Sequence, residues 1–194
     1  MHRAESLVSS LSIPITRRHA LLAGGIAGAA LATALAAHVR IPLPFSPVPV
    51  TLQTMVVLLS GAMLGAAGGT LSQVLYLALG IAGVATFAGG ALTGVTGGYL
   101  LGFAAAAGIV GAVARRTESM VAVGAAMVAG EVAILGLGAA WLAHVGGLSA
   151  GQAVAVGLLP FVPGDAIKLA AALGLWKLGR VAWRGMIGAG GADD

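Results

Sequence analysis

Asp165 and Lys168 stand one helical turn apart in the run Phe161-Val162-Pro163-Gly164-Asp165-Ala166-Ile167-Lys168, at the head of an apolar segment. Either charge alone would cost about 2.5–3.5 kcal/mol at the centre of a membrane helix. Spaced i and i+3, the two side chains share a helical face and partly neutralise each other. Such a pair serves either as a structural ion pair or as the polar floor of a ligand site. Glu131 is a third charge inside an apolar stretch. It can pair with Lys168, face a polar cavity or be held neutral, and a structural role competes with a functional one. Thr51 and Gln53 follow a proline-rich loop, where helix capping, interfacial hydration and ligand contact all suit them. Tyr76, Phe87 and Tyr99 suit core packing, an interfacial aromatic belt or a site wall.

Other chemistries lack their residues. No Gly-x-x-x-x-Gly-Lys-Ser/Thr loop occurs, and the only lysines are Lys168 and Lys177, so nucleotide hydrolysis by that route is excluded. His2, His19, His38 and His144 are scattered, with no His-Glu-x-x-His and no carboxylates grouped beside them; no metal site is expected. The chain has no cysteine, which removes disulfides, thiolate ligands and thiol catalysis. A Gly-x-Ser-x-Gly elbow is also missing. The expectation is a protein that is not an enzyme, with no catalytic residue, metal or cofactor.

The elements that must position these side chains are membrane helices. Of the 194 residues, 59% are hydrophobic and 8% charged, and mean hydropathy is +1.02; soluble domains carry about 25% charged residues. From Ile41 to Ala114 there is no Asp, Glu, Lys, Arg or His. No soluble fold of this size hides such a stretch, so the chain reads as an all-α integral membrane protein. At about 20 residues per span it has room for a bundle of six transmembrane helices with short connections. The net charge of +4 sits in short flanks to apolar runs, the pattern of topology signals and not of a nucleic-acid surface.

Residues 1–19 are polar and read as a cytoplasmic or interfacial N-terminus, 20–180 as the six-helix domain, and 181–194 as a cytoplasmic tail. Spans are expected over 20–37, 51–66, 71–87, 99–114, 120–143 and 163–178. Arg17-Arg18 ahead of the first also fits a cleavable or twin-arginine signal, but an uncleaved span with a positive flank fits better. Residues 40–49 hold four prolines; they cannot be a helix interior and read as an extended, stiff loop. Gly68-Gly69 reads as the break between spans two and three. Residues 88–98, with five glycines and two threonines, read as a second loop. Arg3, Arg17, Arg18, Arg115, Arg116, Lys177, Arg180 and Arg184 fall on one side of a six-span topology, against Arg40 on the other. Both termini are therefore expected in the cytoplasm. The proline loop, the 88–98 loop and the head of span six then converge on the outer face. Small residues at spacing four recur in Ala23/Ala27, Gly24/Gly28, Ala30/Ala34 and Gly61/Gly65/Gly69, and such stripes let helix backbones approach closely. Internal packing explains most of them. Ala23, Ala27, Ala30 and Ala34 are the best candidates for a partner face, since span one has little to hold a ligand.

Four segments occur in an order that resembles a known family. They are Arg40-Ile-Pro-Leu-Pro-Phe-Ser-Pro-Val-Pro-Val-Thr-Leu-Gln-Thr54; Tyr76 with Gly80-Ile-Ala-Gly83 and Phe87-Ala-Gly-Gly90; Thr96-Gly-Gly-Tyr-Leu-Leu-Gly-Phe103; and Val162-Pro-Gly-Asp-Ala-Ile-Lys168. Together they resemble BioY, the biotin-binding S component of energy-coupling-factor transporters. The proline-rich segment running into Thr-Leu-Gln-Thr is the most specific of them. The chain departs from the pattern at Glu131, where a neutral polar residue is expected.

The resemblance implies a six-helix bundle in the prokaryotic cytoplasmic membrane that captures biotin from outside. It implies substrate contacts among Asp165, Lys168, Gln53, Thr51, Phe45, Tyr76, Phe87, Gly89, Gly90 and Tyr99; Glu131, where the chain departs from the pattern, is a further candidate from its own mid-span charge. It also implies a transmembrane coupling protein and two cytoplasmic ATPases as partners, consistent with the missing phosphate loop. Biotin offers two N–H donors and a carbonyl in its ureido head, an apolar body and a carboxylate, which a carboxylate, an ammonium and apolar walls can match. Asp165 and Lys168 stand too close together to reach opposite ends of it. One contacts biotin while the other orients or compensates it, and the sequence leaves open which. A stand-alone proton-coupled carrier using Asp165 or Glu131 is the alternative.

Overall fold

The computed structural model describes residues 15–189, with side chains from His19 to Val181. Most of the polar N-terminal segment and the last residues of the tail lie outside the described residues. The elements in chain order are α1 (Ile15–Ala36), β1 (Arg40–Leu43), β2 (Ser46–Thr51), α2 (Gln53–Ile81), α3 (Gly97–Ala114), α4 (Met120–Gly146), α5 (Ala150–Gly157) and α6 (Val162–Ala189). Helices dominate because hydrocarbon cannot hydrogen-bond a backbone, and a helix pairs its own groups internally. Four of them are long and apolar enough to cross a membrane alone, and α5 with α6, bent by 54°, make a fifth candidate.

α2 is two passes in one element. At Gly65 the backbone leaves the helix (φ 79°, ψ 177°), a conformation open in practice only to glycine. Gln53 Nε2 donates to Tyr76 Oη at 2.8 Å, and Gln73 Nε2 to Ser60 Oγ at 3.2 Å. In a straight helix these pairs would stand about 34 and 20 Å apart at 1.5 Å per residue. The two arms of α2 therefore run antiparallel, and α1, the two arms, α3, α4 and α6 make six passes. The reversal falls at Gly65 and not at Gly68-Gly69, which correct to helical positions. Gly69 serves close packing instead, since a Cβ there would lie 2.7 Å from Gly61 Cα. The second arm also ends at Ile81, short of the expected residue 87, ahead of Gly83 with its positive φ of 75°.

α3 is the centre of the bundle. A Cβ on Gly61 would meet Ala107 O at 2.4 Å, and one on Gly111 would meet Ala66 N at 2.3 Å. Both arms of α2 thus pack on α3 backbone to backbone. Of the apolar stretch of α3, 61% is buried, against 17% for α1. The proline-rich segment is a paired hairpin, with Arg40 opposite Thr51 and Leu43 opposite Ser46. Its register breaks between Ile41 and Leu43, around Pro42, which has no N–H to give. Both strands of a two-stranded sheet are edges, where proline is tolerated. α5, capped by a reciprocal Ser149–Gln152 box, occupies part of the 144–162 stretch for which no element was expected.

Candidate functional site

Asp165 lies in the first turn of α6, where unpaired N–H groups and the helix dipole favour a carboxylate. Pro163 is harmless so near a helix start, because its N–H would have no helical partner. Lys168 forms an ion pair with Asp165 Oδ1 and donates to Thr51 O at 2.9 Å. Thr54 Oγ1 reaches the same Asp165 oxygen at 3.4 Å. The head of α6 is thereby tied to the junction of β2 and α2. The side chains of Asp165 and Lys168 are only 4% and 11% exposed, so this is a buried pair.

The pair lines a small cavity of about 40 Å³. Val48, Pro49, Thr51, Gln53 and Thr54 line it from the hairpin and the head of α2; Ala88 and Thr96 close it from the 82–96 loop. Tyr99, Leu100 and Phe103 of α3, Ile134 and Leu135 of α4, and Phe161 beside the α6 head complete a mostly apolar wall. The three segments expected to converge do so here, at the hairpin end of the bundle. Arg40 Nη1 donates to Ala88 O at 3.3 Å and Trp141 Nε1 to Gly94 O at 2.9 Å, which moors the loop to the hairpin and to α4.

Polar atoms around this cavity are short of donors. Among the described residues, Asp165 Oδ2, Thr96 Oγ1 and both carboxyl oxygens of Glu131 are buried with no hydrogen-bond partner. Glu131 does not line the cavity; it sits behind the floor, with its carboxyl against that of Asp165 and within the field of Lys168. Each buried acceptor left without a donor costs about 1–3 kcal/mol. The arrangement suits an incoming group that brings N–H protons.

The candidate residues sort into layers. Asp165, Lys168, Thr51, Gln53 and Tyr99 line the cavity. Tyr76 stands one step back, accepting from Gln53 and donating to Thr86 O at 3.2 Å, and Phe87 packs edge-on against it at 5.6 Å. Gly89 lies against Thr96, where a Cβ would come within 2.3 Å of Thr96 Cγ2, and Gly90 is the exposed neighbour in that loop. Phe45, at the hairpin turn, is 61% exposed and does not line the cavity. Thr54, Thr96 and the apolar wall were not singled out in the sequence. Thr54 and Thr96 lie inside the quoted motifs, but nothing marks the wall residues among so many apolar ones. Of the four α1 alanines, Ala23 and Ala27 are exposed, Ala34 is half-buried and Ala30 is fully buried in the core.

The family model described as the BioY family matches residues 9–184. The chain is 43% identical over 138 residues to the biotin transporter BioY of Thermotoga maritima, covering 68% of this chain and 80% of that protein. It is 34% identical over 162 residues to the biotin transporter BioY of Rhizobium etli, covering 75% and 86%. The fold matches the crystal structure of the S-component for biotin from an ECF-type ABC transporter, with a TM-score of 0.78 and 23% identity over 87% of this chain and 95% of that one.

Proposed function

The chain belongs to the BioY family, and we propose that it captures biotin at the hairpin end of its bundle and passes it inward with an energy-coupling-factor module. It is a multi-pass protein of the prokaryotic cytoplasmic membrane and a transporter, not an enzyme. The carrying observation is the buried, unpartnered Oδ2 of Asp165, with the unpartnered hydroxyl of Thr96 beside the same apolar-walled cavity. A ureido head brings two N–H donors to such acceptors and one carbonyl for an ammonium. In this reading Asp165 accepts a ureido N–H, and Lys168, steadied by Thr51 O, balances the carboxylate and faces the ureido oxygen. Glu131 positions Asp165 from behind. The bicycle and chain take the apolar wall, and the carboxylate extends toward Arg40, besides Lys168 the other Lys or Arg at this end among the described residues.

A cavity of about 40 Å³ has room for roughly one water, whereas sites for small ligands run to about 300–1,000 Å³. Binding therefore moves the hairpin and the 82–96 loop apart, with the exposed Arg40–Ala88 contact among the bonds that give way. Arg115, Arg116, Lys177 and Arg180 lie at the opposite end, and the positive-inside rule turns the hairpin end outward. For the coupling protein we assign the exposed small-residue face of α1. Ala23 and Ala27 are exposed there, and Cβ atoms on Gly24 and Gly28 would meet nothing. Equilibrium binding to the purified chain, without nucleotide, tests the reading: biotin binds, and an analogue lacking the ureido group binds at least tenfold more weakly. Equal affinity for the two compounds sinks it.

A further inference from the structure

At the end of the bundle away from the biotin cavity, an open cleft of about 890 Å³ lies between α1, the end of the first arm of α2 and α6. Leu22, Met63 and Trp176 give it apolar walls, His19, Arg115 and Arg180 give it a basic rim, and no carboxylate among the described residues lines it.

Trp176 is 1% exposed, and its indole N–H is buried with no hydrogen-bond partner among the described residues. Arg115 lays its stem over the Gly65 reversal, where a Cβ would lie 2.6 Å from Arg115 Nε, and its guanidinium has no ion pair among the described residues. Arg180 differs. It pairs with Glu118 at 2.6 Å and lies 5.6 Å from the centroid of the Trp176 ring. Arg115 is thus the cation left to meet a ligand, beside the buried ring of Trp176.

An apolar trough with a basic rim and surplus donors fits an amphipathic anion. The cleft lies at the end that carries Arg115, Arg116, Lys177 and Arg180, which the positive-inside rule assigns to the cytoplasm. The cytoplasmic leaflet carries the anionic lipids, and basic pockets between membrane helices on that side suit phosphate headgroups. We propose that this cleft binds one acidic glycerophospholipid of the cytoplasmic leaflet, its phosphate at Arg115 and an acyl chain along Leu22 and Met63. The proposal uses the orientation given above but not the identity of the ligand at the other end.

The test is native mass spectrometry of the full chain, released from detergent containing equimolar phosphatidylglycerol and phosphatidylcholine. One phosphatidylglycerol is expected to stay bound, at least fivefold in preference to phosphatidylcholine. Arg115→Gln should abolish that preference while biotin affinity stays within twofold. Arg115 packs on the reversal, so a second variant guards against a folding failure. Leu22→Trp fills the trough and should cut phosphatidylglycerol retention at least fivefold. Equal retention of the two lipids overturns the proposal, as does a preference that both variants leave intact. Displacement by inorganic phosphate at matched concentration would make this a small-anion site. If Arg115→Gln keeps its lipid but no longer co-purifies with a coupling protein, the cleft is a protein surface and the lipid assignment is wrong.

Discussion

The two ends of this bundle are polar in opposite senses. At the hairpin end, Asp165 Oδ2 and the Glu131 carboxyl oxygens are buried acceptors with no hydrogen-bond partner among the described residues, and the nearby ammonium of Lys168 is committed to Asp165 and Thr51 O. At the other end, the buried Trp176 N–H has no hydrogen-bond partner and Arg115 no ion pair among the described residues, beside an open cleft. In the proposed reading one end takes N–H groups in a small cavity, and the other takes phosphate oxygens at an interface. Biotin affinity should therefore respond strongly to changes at the first end and hardly at all to changes at the second.

The largest effect is expected from Asp165→Asn. It keeps the shape but leaves Lys168 without its counter-charge, and breaking a buried pair from one side costs about 3–5 kcal/mol. Biotin affinity should fall at least tenfold, which is about 1.4 kcal/mol. The double change Asp165→Asn with Lys168→Met removes both charges. Thermal stability should then recover, while isothermal titration still finds weak biotin binding. If affinity recovers with stability, the pair only holds α6 to the hairpin, and the contrast between the ends loses its main support.

Glu131→Gln should come next. The amide donates to Asp165 in place of a second carboxyl, so thermal stability should hold or rise. Biotin affinity should fall about three- to tenfold, the size of one ordinary hydrogen bond at about 0.5–1.5 kcal/mol. A large loss of stability would instead mark Glu131 as a structural counter-ion of Lys168.

Much of this was legible because it is local. The i, i+3 pairing of Asp165 with Lys168 follows from helix geometry, and the prolines of 40–49 exclude a helix without any tertiary information. The convergence of hairpin, loop and α6 head follows from counting spans. What was not legible depends on contacts distant in sequence. Gly61, Gly65 and Gly69 look alike in the chain, but only Gly65 takes a positive φ, while Gly61 and Gly69 pack close to Ala107. Glu131 has no local sign of Asp165. Ile134, Leu135 and Phe103 are written in the same apolar residues as lipid-facing positions, since the helices are apolar on every side. Ala27 and Ala30 shared one stripe, yet the first is exposed and the second buried.

A smaller effect on binding is expected from Ala27→Trp. Its side chain faces outward on α1, apart from both cavities, so biotin affinity should stay within twofold. Uptake of labelled biotin in cells carrying the coupling module should fall at least fivefold. An equal fall in binding would place this face within the internal packing of the bundle.

The smallest effect falls on the donor-rich end itself. Trp176→Phe removes the unpartnered N–H but keeps an aromatic ring against the core. An unsatisfied buried polar group costs about 1–3 kcal/mol, and replacing it with an apolar group of similar shape can be neutral or stabilising. The smaller ring leaves some space behind, which offsets part of the gain. The net expectation in lipid-depleted detergent is a change in unfolding free energy of less than about 1 kcal/mol, with biotin affinity unchanged. Adding phosphatidylglycerol should then raise the melting temperature of the parent chain more than that of the variant, because ligand that binds only the folded state adds stability. Equal gains would show that the indole N–H meets no lipid oxygen, and the contrast between the ends would then rest on Arg115 alone.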